Sequence, residues 1–418
     1  MILNINIDSI KNIHFVGIGG SGVSSVASLL SFKGKNVTGS DKGLAGHNEE
    51  NIYKEIDLVV YSIAVPLDNP ELLKAKKLSI PIVSYPELLR ILSENMKTIA
   101  VAGTHGKTTT TAMIASVLEG TQFNPTVIVG AKIIDFQSNA LMGNGEYLLV
   151  EADEYRKSFL NLYPEYLVIT NIDEDHLDFY KDLKNIQSAF TELASRVPEH
   201  GVIVCNPSHP HILPVIKNVK CNIVDYTNLR ALKIDLQLHG QHNRENACCA
   251  YALAQYLDIE NSVILEKLMN FKGVSRRFEY KGTTKTGAFV YDDYAHNPQK
   301  IRSAISGARE KFPDKNIVVV FQPHLYSRTK KLLKEFASSF KDADKVLIPP
   351  IYGAREVFDP TINSEMLVSE INQNSILAES FRSLEDISER LVSHLSDKDV
   401  VLLVGAGNVT SLTDLLMV

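Results

Sequence analysis

Cysteine is scarce in this chain, with four among 418 residues, at 205, 221, 248 and 249. None stands at a metal-ligand spacing, so they read as reduced, mostly buried thiols and point to a cytosolic setting. A basic excess is also lacking. Lys and Arg number 43 against 49 Asp and Glu, and the net charge of −6 leaves no footprint for nucleic acid. No apolar run approaches the ~20 residues needed to span a bilayer. The start, Met-Ile-Leu-Asn-Ile-Asn-Ile-Asp, has neither the basic nor the long apolar segment of a secretory signal. There is no repeat at solenoid period and no low-complexity tract. With 44% hydrophobic and 22% charged residues over 418 positions, the chain reads as a soluble globular protein of two or three domains.

Three successive blocks alternate strand and helix signals. The first has short apolar strands at 13–17, 37–40, 57–62 and 80–84, with helices at 20–32 and 86–95. The second opens with a strand near residue 98 and continues with strands at 126–129, 147–151, 166–171 and 202–205, separated by helices at 109–118, 183–196 and 243–257. A last helix at 261–271 precedes Gly273. The third has strands at 288–294, 316–321, 345–348 and 400–405. Short, wholly apolar strands between helices are the pattern of parallel sheets buried on both faces. The fold class is therefore α/β, and a site shared at the junctions of the blocks is expected.

The most specific motif is Thr98-Ile-Ala-Val-Ala-Gly-Thr-His-Gly-Lys-Thr-Thr-Thr-Thr111. It reads as a buried strand, a glycine turn and a helix start. Gly103 and Gly106 let backbone N–H groups turn inward on a phosphate, Lys107 adds positive charge, and the hydroxyl of Thr108 or Thr109 can hold Mg²⁺. The spacing is a short variant, because Val101 stands where the common loop has its first glycine.

Gly17-Ile-Gly-Gly-Ser-Gly22, between a strand and a helix and followed by Asp41 at the next strand's end, fits a dinucleotide fingerprint. Any nucleotide diphosphate suits it, so it does not specify a nicotinamide cofactor. Val150-Glu-Ala-Asp-Glu154 and Asn171-Ile-Asp-Glu-Asp-His-Leu-Asp178 follow strand ends, where open parallel sheets bind ligands. Their carboxylates and imidazole are plausible Mg²⁺ partners near an ATP γ-phosphate. His242-Asn-Arg-Glu-Asn246 opens a helix, and its Asn side chains either cap that helix or read an adenine edge. Ser275-Arg-Arg-Phe278, Tyr291-Asp-Asp-Tyr-Ala-His-Asn297 and Phe321-Gln-Pro-His-Leu-Tyr-Ser-Arg-Thr329 put arginines where they suit phosphate or carboxylate.

Together with Gly39-Ser-Asp41 and Gly405-Ala-Gly407, this ordered set resembles the Mur ligases of peptidoglycan synthesis across nearly the whole chain. The resemblance implies a Rossmann-like UDP-sugar domain over 1–96. It also implies a P-loop ATP-binding central domain over 97–272 and a Rossmann-like amino-acid domain over 273–418. It implies the members that join L-alanine to UDP-N-acetylmuramate, using ATP and Mg²⁺ through an acyl phosphate. The alternatives are a recycling ligase that adds a murein tripeptide, a nicotinamide-dependent dehydrogenase and a non-catalytic nucleotide-binding protein. By the resemblance, Gly103, Thr104, Gly106, Lys107, Thr108 and Thr109 hold the ATP phosphates, and His242 with Asn243 holds adenine. Thr108, Glu151 and His176 form the metal set. Gly19, Ser21, Gly22, Asp41, Ser62 and His105 face the UDP-sugar. Tyr294, His296 and Arg328 hold the amino acid, while Arg277 and Arg328 serve the acyl phosphate. Lys107, His176, Arg277 and Arg328 carry catalysis. The implied partners are small molecules, without nucleic acid or membrane insertion, in a cytoplasmic monomer or weak homodimer. The chain departs from the family's pattern at Asn297 and Lys300.

Overall fold

The computed structural model describes residues 5–43, 46–143, 145–354 and 356–417; the side chains of residues 21, 177 and 178 also lie outside the description. Two compact units result. One comprises Met1–Leu236 and Arg244–Lys272, and the other Gln237–Asn243 and Gly273–Val418.

The first unit carries two sheets. Strands β1 (Asn12–Val16), β2 (Asn36–Ser40), β3 (Leu58–Tyr61) and β4 (Ile82–Ser84) form an all-parallel sheet in the order β2-β1-β3-β4. Its helices include α1 (Ser21–Phe32), α2 (Pro70–Lys77) and α3 (Tyr85–Glu94). Helix α3 starts on a capping box, because Ser84 and Glu87 satisfy each other's backbone N–H groups.

The other sheet of this unit uses β5 (Lys97–Ala102), β6 (Thr126–Ile133), β7 (Ser138–Leu141), β8 (Tyr147–Glu151), β9 (Pro164–Ile169), β10 (Val202–Cys205) and β11 (Asn222–Asp225). Its order is β11-β10-β9-β5-β8-β6-β7, with only the β6/β7 pair antiparallel. β5 lies between β9 and β8, so the loop after it emerges at the sheet's centre, flanked by the ends of both neighbours. Helix α4 (Lys107–Leu118) follows that loop and is buried over Thr108–Leu118.

The second unit has one sheet of β12 (Glu279–Thr283), β13 (Phe289–Asp293), β14 (Asn316–Phe321), β15 (Lys345–Ile348), β16 (Leu377–Ser380) and β17 (Asp399–Val404). The order is β12-β13-β17-β14-β15-β16, again with one antiparallel edge pair, β12/β13. All six residues of β17 are buried, as its central place between β13 and β14 requires. Among the described residues no helix is long and apolar enough to cross a membrane.

Four strands have no counterpart in the expectation from sequence: β7, β11, β12 and β16. Each lies at an edge of its sheet. An edge strand pairs on one side and is partly exposed, so β12 can read Glu-Tyr-Lys-Gly-Thr and lose the continuous apolar run.

Candidate active site

The loop after β5 is a tight glycine turn that leads into α4. Gly106 sits at φ 81°, in the left-handed region, and caps α4 with its N–H groups directed along the helix start. A side chain there would run into the amide oxygen of Asn246. Gly103 is at φ 143°, and a side chain there would strike the Thr170 hydroxyl. The loop is clamped to the end of β9. Asn171 Oδ1 accepts from the His105 N–H at 2.9 Å, Asn171 Nδ2 donates to the His105 carbonyl at 3.0 Å, and Thr170 Oγ1 donates to the same carbonyl at 2.6 Å. The Thr104 hydroxyl accepts from the Asp173 N–H at 2.8 Å. Thr109 is buried.

Lys107 Nζ lies 2.7 Å from Glu154 Oε2 and donates to the Gly103 carbonyl at 2.6 Å. Glu154 is 3% exposed. Burial works against the ammonium, but Glu154 outweighs it, with help from Glu151 and Asp153, so Lys107 is held charged. Burial pushes the Glu154 carboxyl above its ordinary range while Lys107 pulls the other way. His176, at φ 52°, turns its Nε2 to 3.7 Å from Glu154 Oε1 and packs its ring 4.8 Å from that of Tyr155.

Thr108 Oγ1 donates to Glu151 Oε1 at 2.7 Å, and the Gly130 N–H donates to Glu151 Oε2, also at 2.7 Å. Thr108 and Glu151 therefore offer two hard oxygen donors beside the cradle. This is the sparse protein share that Mg²⁺ takes when phosphates and water complete its shell. His176 is placed against Glu154. Among the described residues no group of three His, Cys, Asp or Glu forms a metal cluster.

At the glycine loop of the first sheet, the Gly17 and Ile18 N–H groups donate to the Ser40 carbonyl at 2.8 and 3.0 Å. Asp41 Oδ2 accepts from the Gly19 N–H at 3.0 Å, so this carboxylate shapes the loop. Ser62 lies against Gly17. Behind the loop Glu71 is fully buried, and burial alone would raise its carboxyl. His14, with its Nε2 3.8 Å from the carboxylate, and hydrogen bonds from the Ser40 hydroxyl, Asn51 Nδ2 and the Asn48 N–H overcome that and lower it to about 2. Gly22 faces Tyr85, whose hydroxyl would stand 2.7 Å from an added Cβ. The Ser21 side chain lies outside the described residues.

In the second unit, Tyr294, His296 and Arg328 come together. The Tyr294 and His296 rings are 5.3 Å apart, His296 is 6.5 Å from the His324 ring, and Arg328 Nη1 is 3.4 Å from His324 Nδ1. Arg277 lies over the Tyr294 ring at 5.5 Å. His296 Nδ1 donates to the Tyr294 carbonyl at 2.9 Å, which leaves Nε2 with its lone pair when the ring is neutral. Burial first, then Lys300, Arg328 and Arg277, push His296 down to about 3. Arg276 holds the frame, binding Asp292 at 3.1 Å and the Gly405 carbonyl at 2.6 Å. Asn297 caps the helix Pro298–Lys311, its Oδ1 accepting from the Lys300 N–H at 2.9 Å.

Asn243 Nδ2 donates to the His239 carbonyl at 2.8 Å, while the asparagine set against Gly106 is Asn246. The sequence motif contained both, and only the loop's close approach distinguishes them. Asn171 and Glu154 were likewise inside motifs without being singled out as site residues. The signal for Asn171 is its place at the end of a strand beside the cradle. Tyr85 carried no signal in the sequence.

Family models match in three successive stretches: the Mur ligase family catalytic domain over 12–97, the Mur ligase middle domain over 101–231, and the Mur ligase glutamate ligase domain over 276–407. A UDP-N-acetylmuramate–L-alanine ligase of Clostridium acetobutylicum is 37% identical over 459 aligned positions, covering 100% of both chains. The crystal structure of a UDP-N-acetylmuramate–alanine ligase from Thermotoga maritima superposes with a TM-score of 0.80 at 30% identity, covering 97% of each chain. A murein peptide ligase from Psychrobacter arcticus shares the fold at a TM-score of 0.68 and 23% identity, covering 97% of this chain and 98% of its own.

Proposed function

The chain belongs to the Mur ligase family, and we propose on that premise that it joins L-alanine to the carboxylate of UDP-N-acetylmuramate while ATP becomes ADP and phosphate. The observation that carries the nucleotide half is the Lys107 ammonium fixed at a left-handed glycine cradle beside Thr108 and Glu151. The first step joins two anions: an oxygen of the muramoyl carboxylate attacks the γ-phosphorus and the β–γ bridging oxygen leaves with ADP. Positive charge and positioning matter more there than acid–base groups. Lys107 supplies that charge and the loop N–H groups hold the phosphates. Mg²⁺ held by Thr108 and Glu151 would neutralise charge on the phosphates. The amine of L-alanine then attacks the acyl carbon; the C–O bond to the phosphoryl group breaks, inorganic phosphate leaves with the electron pair, and the nitrogen gives up a proton as the amide forms.

His105 and the Gly17–Gly22 loop, with Asp41 and Ser62 shaping that loop, serve the UDP-sugar. His242 and Asn243 serve the adenine. In the second unit a neutral His296 beside Arg328, Arg277 and Tyr294 suits an amino acid's ends: cations for the carboxylate, and an unprotonated nitrogen to accept from the amine. Full-length likeness to the Clostridium acetobutylicum enzyme favours L-alanine over a murein tripeptide as acceptor. The enzyme works in the cytoplasm, where its nucleotide substrates are.

Phosphate release with ATP and UDP-N-acetylmuramate, run against amino acids and the murein tripeptide, tests this. L-Alanine should be preferred. Glycine and L-serine should be slower, within the roughly 10–200-fold that one small group allows. The tripeptide should be inert. A preference for the tripeptide makes the protein a recycling ligase. No release with any acceptor removes the ligase reading.

A further inference from the structure

A cavity of about 260 Å³ opens in the first unit between the start of α1 and the end of β8. Gly22 of the glycine loop and Tyr85, the first residue of α3, line one side, and Gly130, Glu151 and Asp153 line the other. Leu89 and Phe159 add apolar wall. The cavity therefore touches both the loop assigned to the diphosphate of the sugar nucleotide and the carboxylate assigned to the phosphoryl-transfer step. The part of the substrate that must join those two places is the muramoyl group.

Tyr85 is the polar group that the first sheet contributes to this space. Its hydroxyl makes no hydrogen bond to another side chain or backbone group among the described residues. It stands so close to Gly22 that a Cβ there would lie 2.7 Å from the oxygen and 3.0 Å from Cζ. A tyrosine hydroxyl keeps its proton near neutral pH and so can donate a hydrogen bond. Position is fixed by the adjacent cap: Ser84 and Glu87 bind one another at the start of α3, which sets where residue 85 points.

We propose that the Tyr85 hydroxyl donates a hydrogen bond to an oxygen of the muramoyl group, and that Gly22 lacks a side chain in order to let it do so. Tyr85 is then a binding and specificity residue that separates the muramoyl nucleotide from UDP. The inference rests on the reading of the substrate given above.

The test is calorimetric titration of the unaltered protein and Tyr85→Phe with UDP-N-acetylmuramate and with UDP, beside steady-state kinetics. Loss of one neutral donor should weaken UDP-N-acetylmuramate about 2- to 10-fold. The affinity for UDP, the KM for ATP and the melting temperature should stay unchanged. Gly22→Ala should weaken the muramoyl nucleotide in the unaltered background and cost less in the Tyr85→Phe background, because the added methyl no longer meets the hydroxyl. Equal loss for UDP would mean that Tyr85 serves the diphosphate and would overturn the assignment, as would no loss at all. An unaltered protein that binds UDP but not UDP-N-acetylmuramate overturns the substrate reading itself, a result distinct from failure of the Tyr85 contact alone.

Discussion

Replacing Lys107 by methionine separates what this residue does for the fold from what it does for the reaction. The change leaves Glu154, 3% exposed, without the ammonium 2.7 Å away. A buried carboxylate stripped of its partner costs about 3–5 kcal/mol if it stays charged. It can instead take up a proton, and that sets a ceiling. Starting from the ordinary value of 4.5, protonation at pH 7 costs about 3.4 kcal/mol, and at pH 5.5 about 1.4 kcal/mol, at 1.36 kcal/mol per pH unit. The sign follows from a folded-state pKa raised above the unfolded one: the folded form holds its proton more tightly, so the variant loses stability as pH rises above 4.5. Lys107→Met should therefore melt several degrees below the unaltered protein at pH 7.5 and much closer to it at pH 5.5. Circular dichroism is the assay, since the chain has no tryptophan. Adding Glu154→Gln should restore the melting temperature, because a neutral amide replaces the orphaned charge. Phosphate release should fall at least about 100-fold in Lys107→Met and stay low in the double variant. A double variant that turns over like Glu154→Gln alone would refute the role of Lys107. A Lys107→Met protein that melts like the unaltered one at pH 7.5 would refute the energetics of the pair.

Three further outcomes are expected. Gly106→Ala should weaken ATP binding by at least tenfold while the protein still folds; the left-handed φ alone costs about 1–2 kcal/mol, and Asn246 blocks the methyl. ATP titration checks it, and unchanged affinity would remove the cradle argument. Glu71, held at about 2 against an ordinary 4.5, contributes about 3 kcal/mol that is fully present above pH 4.5 and lost as pH falls toward 2. The protection factors of the Gly17 and Ile18 amides, which bond to Ser40, should fall through that window once corrected for the intrinsic exchange rate, and Glu71→Gln should flatten the dependence. His296, pushed down to about 3, should give no inflection near pH 6.5 in kcat/KM for L-alanine. Lys300→Glu should bring one up toward that region, and an inflection in the unaltered protein would show that the ring is not neutral.

What the sequence made legible follows from where each residue sits. Central strands such as β5, β14 and β17 are buried on both faces, so their apolar runs stand out in the sequence. The edge strands β7, β11, β12 and β16 lack that run because solvent covers part of them. The site divides in the same way. Lys107 and Thr108 open the helix that follows β5, and Glu151 ends β8, positions at strand ends where residue type and order already carry the chemistry. Asn297 looked like a departure from the family's amino-acid contacts. The structure gives it a local task, capping the helix after β13, which a change of neighbour side chains does not disturb. Asn246 was indistinguishable from Asn243 within its motif, and Tyr85 illegible, for another reason. Each matters because it approaches a glycine far away in the chain, Gly106 and Gly22, and no spacing encodes that approach. The two glycines were readable as turn and loop residues, but their actual constraint is the side chain packed against each. A glycine in such a motif therefore marks where a second functional side chain lies close by, and the residue to test is the one that a methyl group would strike.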